Sequence, residues 1–188
     1  MLQQLEYATR GHHVAADAGR INLLGANITR EKYIDYLQRT YAFEAPIEGR
    51  LQLISGIERA IDLHRRLRVG FLASDLRALG CEPEAIMSSA SFVGVEQGLG
   101  WLYVIERGRR MNSMLQRHLL RRIPGVLSIA GNYLATSAVI GTRWQQLGIA
   151  LDRVAHSHAA ADQILNAAHR AFRALRGTLP RTTTARAA

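Results

Sequence analysis

The stretch that decides the fold is LQQLEYATRGHHVAAD, residues 2–17. It contains no proline, and one set of its residues recurs at spacings of three and four: Leu2, Leu5, Thr9, His13 and Ala16. Such spacing places side chains on a single face of an α-helix. The segment therefore predicts a helix whose partly apolar face carries His13.

The same spacing continues along most of the chain. Thr29 is placed to cap a second helix, which Pro46 is expected to kink or restart because proline lacks an amide hydrogen. Two amphipathic helices are expected near the end of the chain, one around Trp144 and one around Phe172. Only four prolines interrupt these patterns, so the sequence predicts an all-α fold.

The connections between helices are less regular. We expect a loop over residues 19–27, a solvated basic segment over residues 64–68, and an interior break at residues 80–83, where glycine and proline both end helices. The longest helix is expected over residues 89–121. Glycines within it each cost about 1 kcal/mol relative to alanine, which predicts a close approach or a bend. These glycines are Gly94, Gly98, Gly100 and Gly108.

Composition limits the class of protein. A chain of 188 residues fits one domain, assigned to residues 1–179, with a disordered tail over residues 180–188. The net charge of +9 favours nucleic acid, but Lys32 is the only lysine and no nucleic-acid motif accompanies the arginines, so that role is disfavoured. A single cysteine, no long apolar run and no signal peptide predict a cytoplasmic protein without a membrane span.

Several common catalytic and metal-binding patterns are absent from the sequence. No glutamate is followed three residues later by histidine, which argues against a di-iron bundle. The sequence also lacks paired cysteines, a His-Glu-x-x-His zinc motif and a Gly-x-Ser-x-Gly elbow. His156 and His158 are two residues apart and are expected to be solvated.

What remains is a histidine on a helix face and a second helix rich in glycine. A heme is flat and wide; one face needs an imidazole ligand, and the other needs a backbone that approaches closely. Asp17 follows His13 by four residues and is expected to accept a hydrogen bond from the ring nitrogen that does not bind iron. This pattern is compatible with a heme site at His13, but a lone histidine on a helix is more often structural or exposed than an iron ligand.

Residues 5–13, LEYATRGHH, resemble the N-terminal motif of heme oxygenases, in which an Ala-Thr pair precedes the proximal histidine by four positions. The match selects His13 over His12. The likeness continues through four further stretches, in the same order as in the bacterial, phytochrome-associated branch of that family. These are residues 29–50, 75–80, 98–106 and 141–144.

The resemblance implies a single-domain heme-oxygenase-like helical bundle and an activity. In that family O2-dependent opening of heme yields biliverdin, CO and iron, with electrons from a separate reductase or ferredoxin. Asp17 falls where the family has an acidic partner for the ligand, and Arg10 where relatives have a base that contacts a heme propionate. Arg143 is a second candidate for a propionate, since guanidinium groups suit carboxylates.

The sequence departs from the family in the expected distal wall, residues 100–112. Bacterial relatives carry Gly-Ser-x-Leu-Gly-Gly where this chain has RGRRMN, residues 107–112, in which Gly108 is the one small residue and Asn112 the last. Met111 adds bulk, so the helix is expected to retreat or the pocket to close. Three outcomes are open. Met111 binds iron as a sixth ligand, or the helix shifts so that heme still binds O2. In the third, Met111 belongs to the core, and Arg107, Arg109 and Arg110 face water.

Three functions follow from these observations. The first is heme binding with candidate heme oxygenase activity, for which no catalytic residue is assigned. The second is a catalytically degenerate relative that binds, senses or stores heme or another tetrapyrrole. The third is a basic helical interaction module without a cofactor.

Overall fold

A computed structural model describes residues 1–84, 90–135 and 140–178 of the chain. Every regular element in these ranges is helical, which confirms the predicted all-α fold. The boundary at residue 179 and the expected tail lie outside the described residues. The helices are α1 (Leu2–Asn22), α2 (Arg30–Gln52), α3 (Ile57–Ala60), α4 (Val69–Ala78), α5 (Gly94–Arg109), α6 (Asn112–Arg122), α7 (Pro124–Ile129), α8 (Asn132–Ala135), α9 (Ile140–Val154) and α10 (His158–Gly177), with a 3-10 turn at His64–Arg66.

Local signals set most helix ends. Thr29 caps α2, where its hydroxyl accepts the Lys32 amide, as expected. Helix α1 runs to Asn22, so the loop begins later than predicted because no residue before Asn22 breaks the helix. Pro46 lies inside α2, which continues to Gln52, so the predicted restart is wrong. No helix in the described part of the chain is long and apolar enough to cross a membrane.

Helix α5 lies at the centre of the larger hydrophobic core, against α10 and α9. Glycines permit this packing: a Cβ on Gly100 would lie 2.5 Å from the Ile164 carbonyl oxygen of α10. A Cβ on Gly98 would lie 2.8 Å from Cδ1 of Ile54. These two glycines therefore mark close approaches, whereas Gly94 has a φ of 73° and starts the helix.

The expected long helix is divided in two. Helix α5 ends at Arg109 and α6 begins at Asn112, so the prediction of one helix over residues 89–121 is wrong. At the junction the Met111 amide bonds to the Gly108 carbonyl at 3.3 Å, a tighter three-residue step in place of the α-helical pattern. The chain thus turns at the segment that departs from the heme oxygenase motif.

Residues 64–68 are not uniformly solvated, contrary to the prediction. His64 and Arg65 are exposed, but Arg66 and Arg68 are buried. Arg66 forms an ion pair with Glu106 at 3.5 Å, which offsets the cost of burying its charge. The Glu48 carboxylate accepts hydrogen bonds from the backbone amides of Arg68 and Val69 at 2.8–3.1 Å and so caps the N-terminus of α4.

Candidate functional site

His13 lies on α1 at the edge of a cavity of about 510 Å³ between α1 and the α5–α6 junction. The cavity carries charge on both walls. Its lining residues are Glu6, His13 and Asp17 from α1 and Arg107, Arg110 and Met111 from the opposite side. The structure therefore brings three predicted site residues, His13, Asp17 and Met111, to one cavity.

The His13 ring is anchored through one of its nitrogens. Nε2 lies 3.1 Å from Oγ1 of Thr9, which is four residues earlier on the same helix. The Thr9 hydroxyl donates to the Leu5 carbonyl at 2.7 Å and also lies 3.2 Å from the Tyr103 hydroxyl. If the ring carries its proton on Nε2, Thr9 accepts it, and Nδ1, which bonds to no described residue, is the unprotonated nitrogen.

Asp17 does not accept the hydrogen bond that was expected from His13. Its two carboxylate oxygens accept from the Arg107 guanidinium at 2.9 and 3.0 Å, in a bidentate pair that links α1 to α5. Spacing along α1 suggested His13 as the partner of this carboxylate, because Arg107 lies 90 residues away in the chain. Thr9 takes the anchoring position instead.

The surroundings of His13 favour its neutral form over the imidazolium. Partial burial and, next, the nearby positive charge of Arg107 lower the pKa of His13 below its usual value. Asp17 and Glu6 oppose this shift, but they do not outweigh it. A neutral imidazole is the form that can bind a metal ion.

His12 points toward a different helix. Its Nε2 lies 3.0 Å from Nδ1 of His169, and its ring stacks on Phe172 of α10 with the centroids 5.3 Å apart. His12 is not among the residues that line the cavity. The His13 ring also lies near Phe172, with the centroids 5.7 Å apart, so the two histidines differ in that His13 lines the cavity and His12 does not.

The wall opposite His13 is formed by the α5–α6 junction. Arg110 forms an ion pair with Glu6 at 3.0 Å, and its guanidinium lies 4.6 Å from the centroid of the Trp144 ring. Arg107 and Arg110 therefore reach across to α1 and do not simply face water. Met111 is partly buried and lines the cavity between them.

Arg109 lies in the core, which corrects the expectation that it faces water. Its guanidinium contacts Glu44, and it bonds to Glu48 at 2.7 Å and to the Arg66 carbonyl at 2.7 Å. The Tyr133 hydroxyl donates to Glu44 at 2.7 Å. Because both glutamates come from α2, this pairing could not be inferred from the spacing of the arginines.

Gly108 and Asn112 are buried on the same side of the fold. The guanidinium of Arg20 occupies the space that a side chain on Gly108 would fill. The Oδ1 atom of Asn112 has no hydrogen-bond partner among the described residues. Neither residue lines the His13 cavity, although Gly108 lies one position from Arg107.

The two arginines predicted for propionates lie elsewhere. Arg10 is exposed on α1 with its guanidinium 4.2 Å from the centroid of the Tyr7 ring. Arg143 lines a separate cavity with Arg66, and its carbonyl accepts from that residue at 3.1 Å. The cations at the His13 cavity are Arg107 and Arg110, which the sequence left undecided between solvent and site because their partners on α1 lie 90 and 104 residues away in the chain.

The donor set of this cavity suits the iron and the propionates of a heme, while among the described residues Met111 alone gives its lining an apolar side chain. It combines a neutral imidazole with one anchored nitrogen, two guanidinium groups for carboxylates and one thioether. The cavity volume is within the usual range of about 300–1,000 Å³ for small-molecule sites. A bare metal ion has no comparable place: in residues 1–84, 90–135 and 140–178 no three His, Cys, Asp or Glu side chains are grouped to hold one.

The fold and this cavity together define a helical bundle with a histidine-bearing cavity between its first helix and a central helix. Among solved structures the chain is similar to the NO- and CO-bound heme oxygenase from Neisseria meningitidis, with a TM-score of 0.75 and 20% identity. The match covers 94% of this chain and 90% of that one. No family model and no curated protein matches the sequence. The chain therefore has a heme-oxygenase-like fold.

Proposed function

We propose that this protein binds heme and that His13 is the iron ligand. The observation that carries the proposal is the placement of His13 at a cavity between α1 and the α5–α6 junction, in a heme-oxygenase-like fold. The neutral state of the ring and its single anchored nitrogen support it further. We further propose a relationship to the bacterial, phytochrome-associated heme oxygenases and a cytoplasmic location.

Each residue at the cavity has a defined part in this proposal. Thr9 fixes the tautomer and orientation of His13 by accepting the Nε2 proton. Arg107 and Arg110, in place of Arg10 and Arg143, would bind the two propionates, sharing or exchanging their present partners Asp17 and Glu6. Met111, on the opposite wall, would offer its thioether to the iron.

A bound heme would supply redox and oxygen chemistry that no side chain in this cavity provides. What the protein contributes is axial ligation, orientation through the arginines and restricted access at the α5–α6 junction. Ring opening to biliverdin, with electrons from a ferredoxin or reductase, is the activity that the fold suggests. A His13/Met111 pair instead favours stable binding, because it leaves no open position for O2.

Titration of the purified protein with hemin tests binding, and a reductant added under air then tests turnover. We expect a saturable Soret shift at one heme per chain. Loss of the Soret band with growth of biliverdin absorption would establish the oxygenase reaction, whereas a persistent low-spin spectrum would establish a binding protein. The proposal is wrong if hemin produces no specific Soret shift.

A further inference from the structure

A second cavity, of about 590 Å³, lies beside the C-terminal half of α1, between α1, α2 and the end of α10. No described residue lines both this cavity and the one at His13. Most of its wall is apolar, made of small residues on α1 and aromatic or aliphatic residues opposite. They include Ala15, Ala16, Leu23, Tyr36, Phe43 and Leu175.

Two buried polar side chains on this wall have hydrogen-bonding groups that remain unused. Arg20 and Tyr36 are each 7% exposed, and both line the cavity. Nε of Arg20 has no hydrogen-bond partner among the described residues, and the Tyr36 hydroxyl lies close to Arg20 and Thr40 without a well-aligned hydrogen bond to either. A buried polar group left without a partner costs about 1–3 kcal/mol, so such groups usually have a ligand or an ordered water.

The charge of Arg20 also lacks a close counterion. No described carboxylate lies within the 4.0 Å of an ion pair, and its Nη1 donates only to the Ala16 carbonyl at 3.2 Å. The two nearest acids are engaged elsewhere, Asp17 by Arg107 and Glu44 by Arg109. Because a guanidinium stays charged in proteins, an anion is the natural partner at this position.

We propose that this cavity binds an amphipathic monocarboxylate, with its carboxylate on Arg20 and Tyr36 and its apolar tail along the α1 alanines and Phe43. Two donors converge on one anion, which is the arrangement that favours a carboxylate over a neutral polar group. At the rim, Arg39 is paired with Asp35 at 2.6 Å, and the exposed Lys32 donates to the Asn27 carbonyl at 2.6 Å. The tail therefore meets apolar surface and the head group meets the one buried cation of the cavity.

Calorimetric titration of the heme-free protein with decanoate tests the site, with decanamide as the neutral analogue. We expect one decanoate per chain and weaker binding of decanamide. Arg20→Gln should lower decanoate affinity about tenfold or more, since it removes the guanidinium charge while keeping a polar side chain at this position. Arg39→Gln, at the rim of the same cavity, is the matched control and should change affinity less than about threefold.

Tyr36→Phe serves as a second variant in case Arg20→Gln does not fold. It removes only the hydroxyl and should weaken decanoate binding about threefold, with no effect on decanamide. His13→Ala should bind decanoate as the wild type does, so failure of the heme proposal would not affect this result. No decanoate binding, equal binding of decanamide, or unchanged affinity in both Arg20→Gln and Tyr36→Phe would overturn the proposal and leave water as the partner of these groups.

Discussion

The two walls of the His13 cavity are built by different means. The α1 wall is local: Thr9, His13 and Asp17 are spaced by four residues, and their side chains share one helix face. The α5–α6 wall depends on distant partners, since Arg107 and Arg110 reach Asp17 and Glu6 on α1, while Arg109 turns inward to α2. Three neighbouring arginines thus have three different environments, each set by what the fold places opposite.

Of the three arginines, Arg109, which points into the core, should cost the fold the most stability when it is replaced. Arg109→Met leaves Glu44 and Glu48 buried without their cation, and we expect a loss of about 3–5 kcal/mol in the free energy of unfolding. Arg110→Met, at the exposed pair with Glu6, should cost less than about 1 kcal/mol. Denaturant unfolding at neutral pH measures both.

The pH dependence of the Arg109→Met effect provides an internal check. Burial already raises the pKa of Glu48, and loss of the cation should raise it further. The variant should therefore recover stability as the pH falls and the carboxylate is protonated, so its difference from the wild type narrows. A difference that is small at neutral pH, or that does not change with pH, would show that the buried charges are not paired as described.

Two glycines of α5 are packed against different kinds of neighbour: Gly100 lies against the backbone of α10, and Gly108 lies against the Arg20 side chain. Gly100→Ala forces a Cβ against the Ile164 carbonyl and should cost about 1–3 kcal/mol. Gly108→Ala meets only the end of the Arg20 side chain, which can move, so its cost should be smaller and partly offset by better helix propensity. Thermal unfolding distinguishes them. Equal losses of stability in Gly100→Ala and Gly108→Ala would mean that the Arg20 side chain cannot move aside.

The pKa of His13 should depend on the charge of Arg107 in the opposite wall of the cavity. In the heme-free protein, NMR titration should give a midpoint below 6.5, because burial and Arg107 both disfavour the imidazolium. Arg107→Gln should raise the midpoint, since it removes a positive charge and frees Asp17. Arg39→Gln, which alters a remote pair, should leave it unchanged. A midpoint that does not move in Arg107→Gln would rule out communication across the cavity.

The lowered pKa of His13 also makes the stability of the fold depend on pH. The folded state binds a proton at His13 less readily than the unfolded state, so this group makes unfolding free energy rise with pH up to about 6.5. His12 acts in the same direction because burial and His169 lower its pKa. Replacing both with glutamine should flatten the rise in unfolding free energy between about pH 5 and 6.5. An unchanged slope would mean that neither histidine titrates abnormally.

The smallest expected change concerns Met111. In the hemin-loaded protein, Met111→Leu should keep the volume of the side chain and the affinity for hemin but convert a low-spin spectrum to high spin. Met114→Leu is the control, since Met114 is exposed on α6 and does not line the cavity. If the spin state is the same in both variants, Met111 is not an iron ligand.

The amino-acid sequence was sufficient for the all-α class and for the helix face that carries Thr9, His13 and Asp17, because both depend on spacing within one segment. The caps at Thr29 and the face that carries His13 are examples. The sequence did not predict the division between α5 and α6 or the partner of Asp17. It failed where a partner comes from far along the chain, as with Arg109 and Glu44 or Arg66 and Glu106. Thr9 could have been found, since it lies four residues before His13 on the same face; the Arg107 partner of Asp17 could not.

The central claim is that His13, and not its neighbour, binds heme iron. Hemin difference spectra of His13→Ala and His12→Ala, recorded side by side with the wild type, test it most directly. We expect His13→Ala to lose or displace the Soret band of the complex, and His12→Ala, whose ring packs on Phe172, to retain it. A normal Soret band in His13→Ala, or its loss in His12→Ala alone, would contradict the assignment.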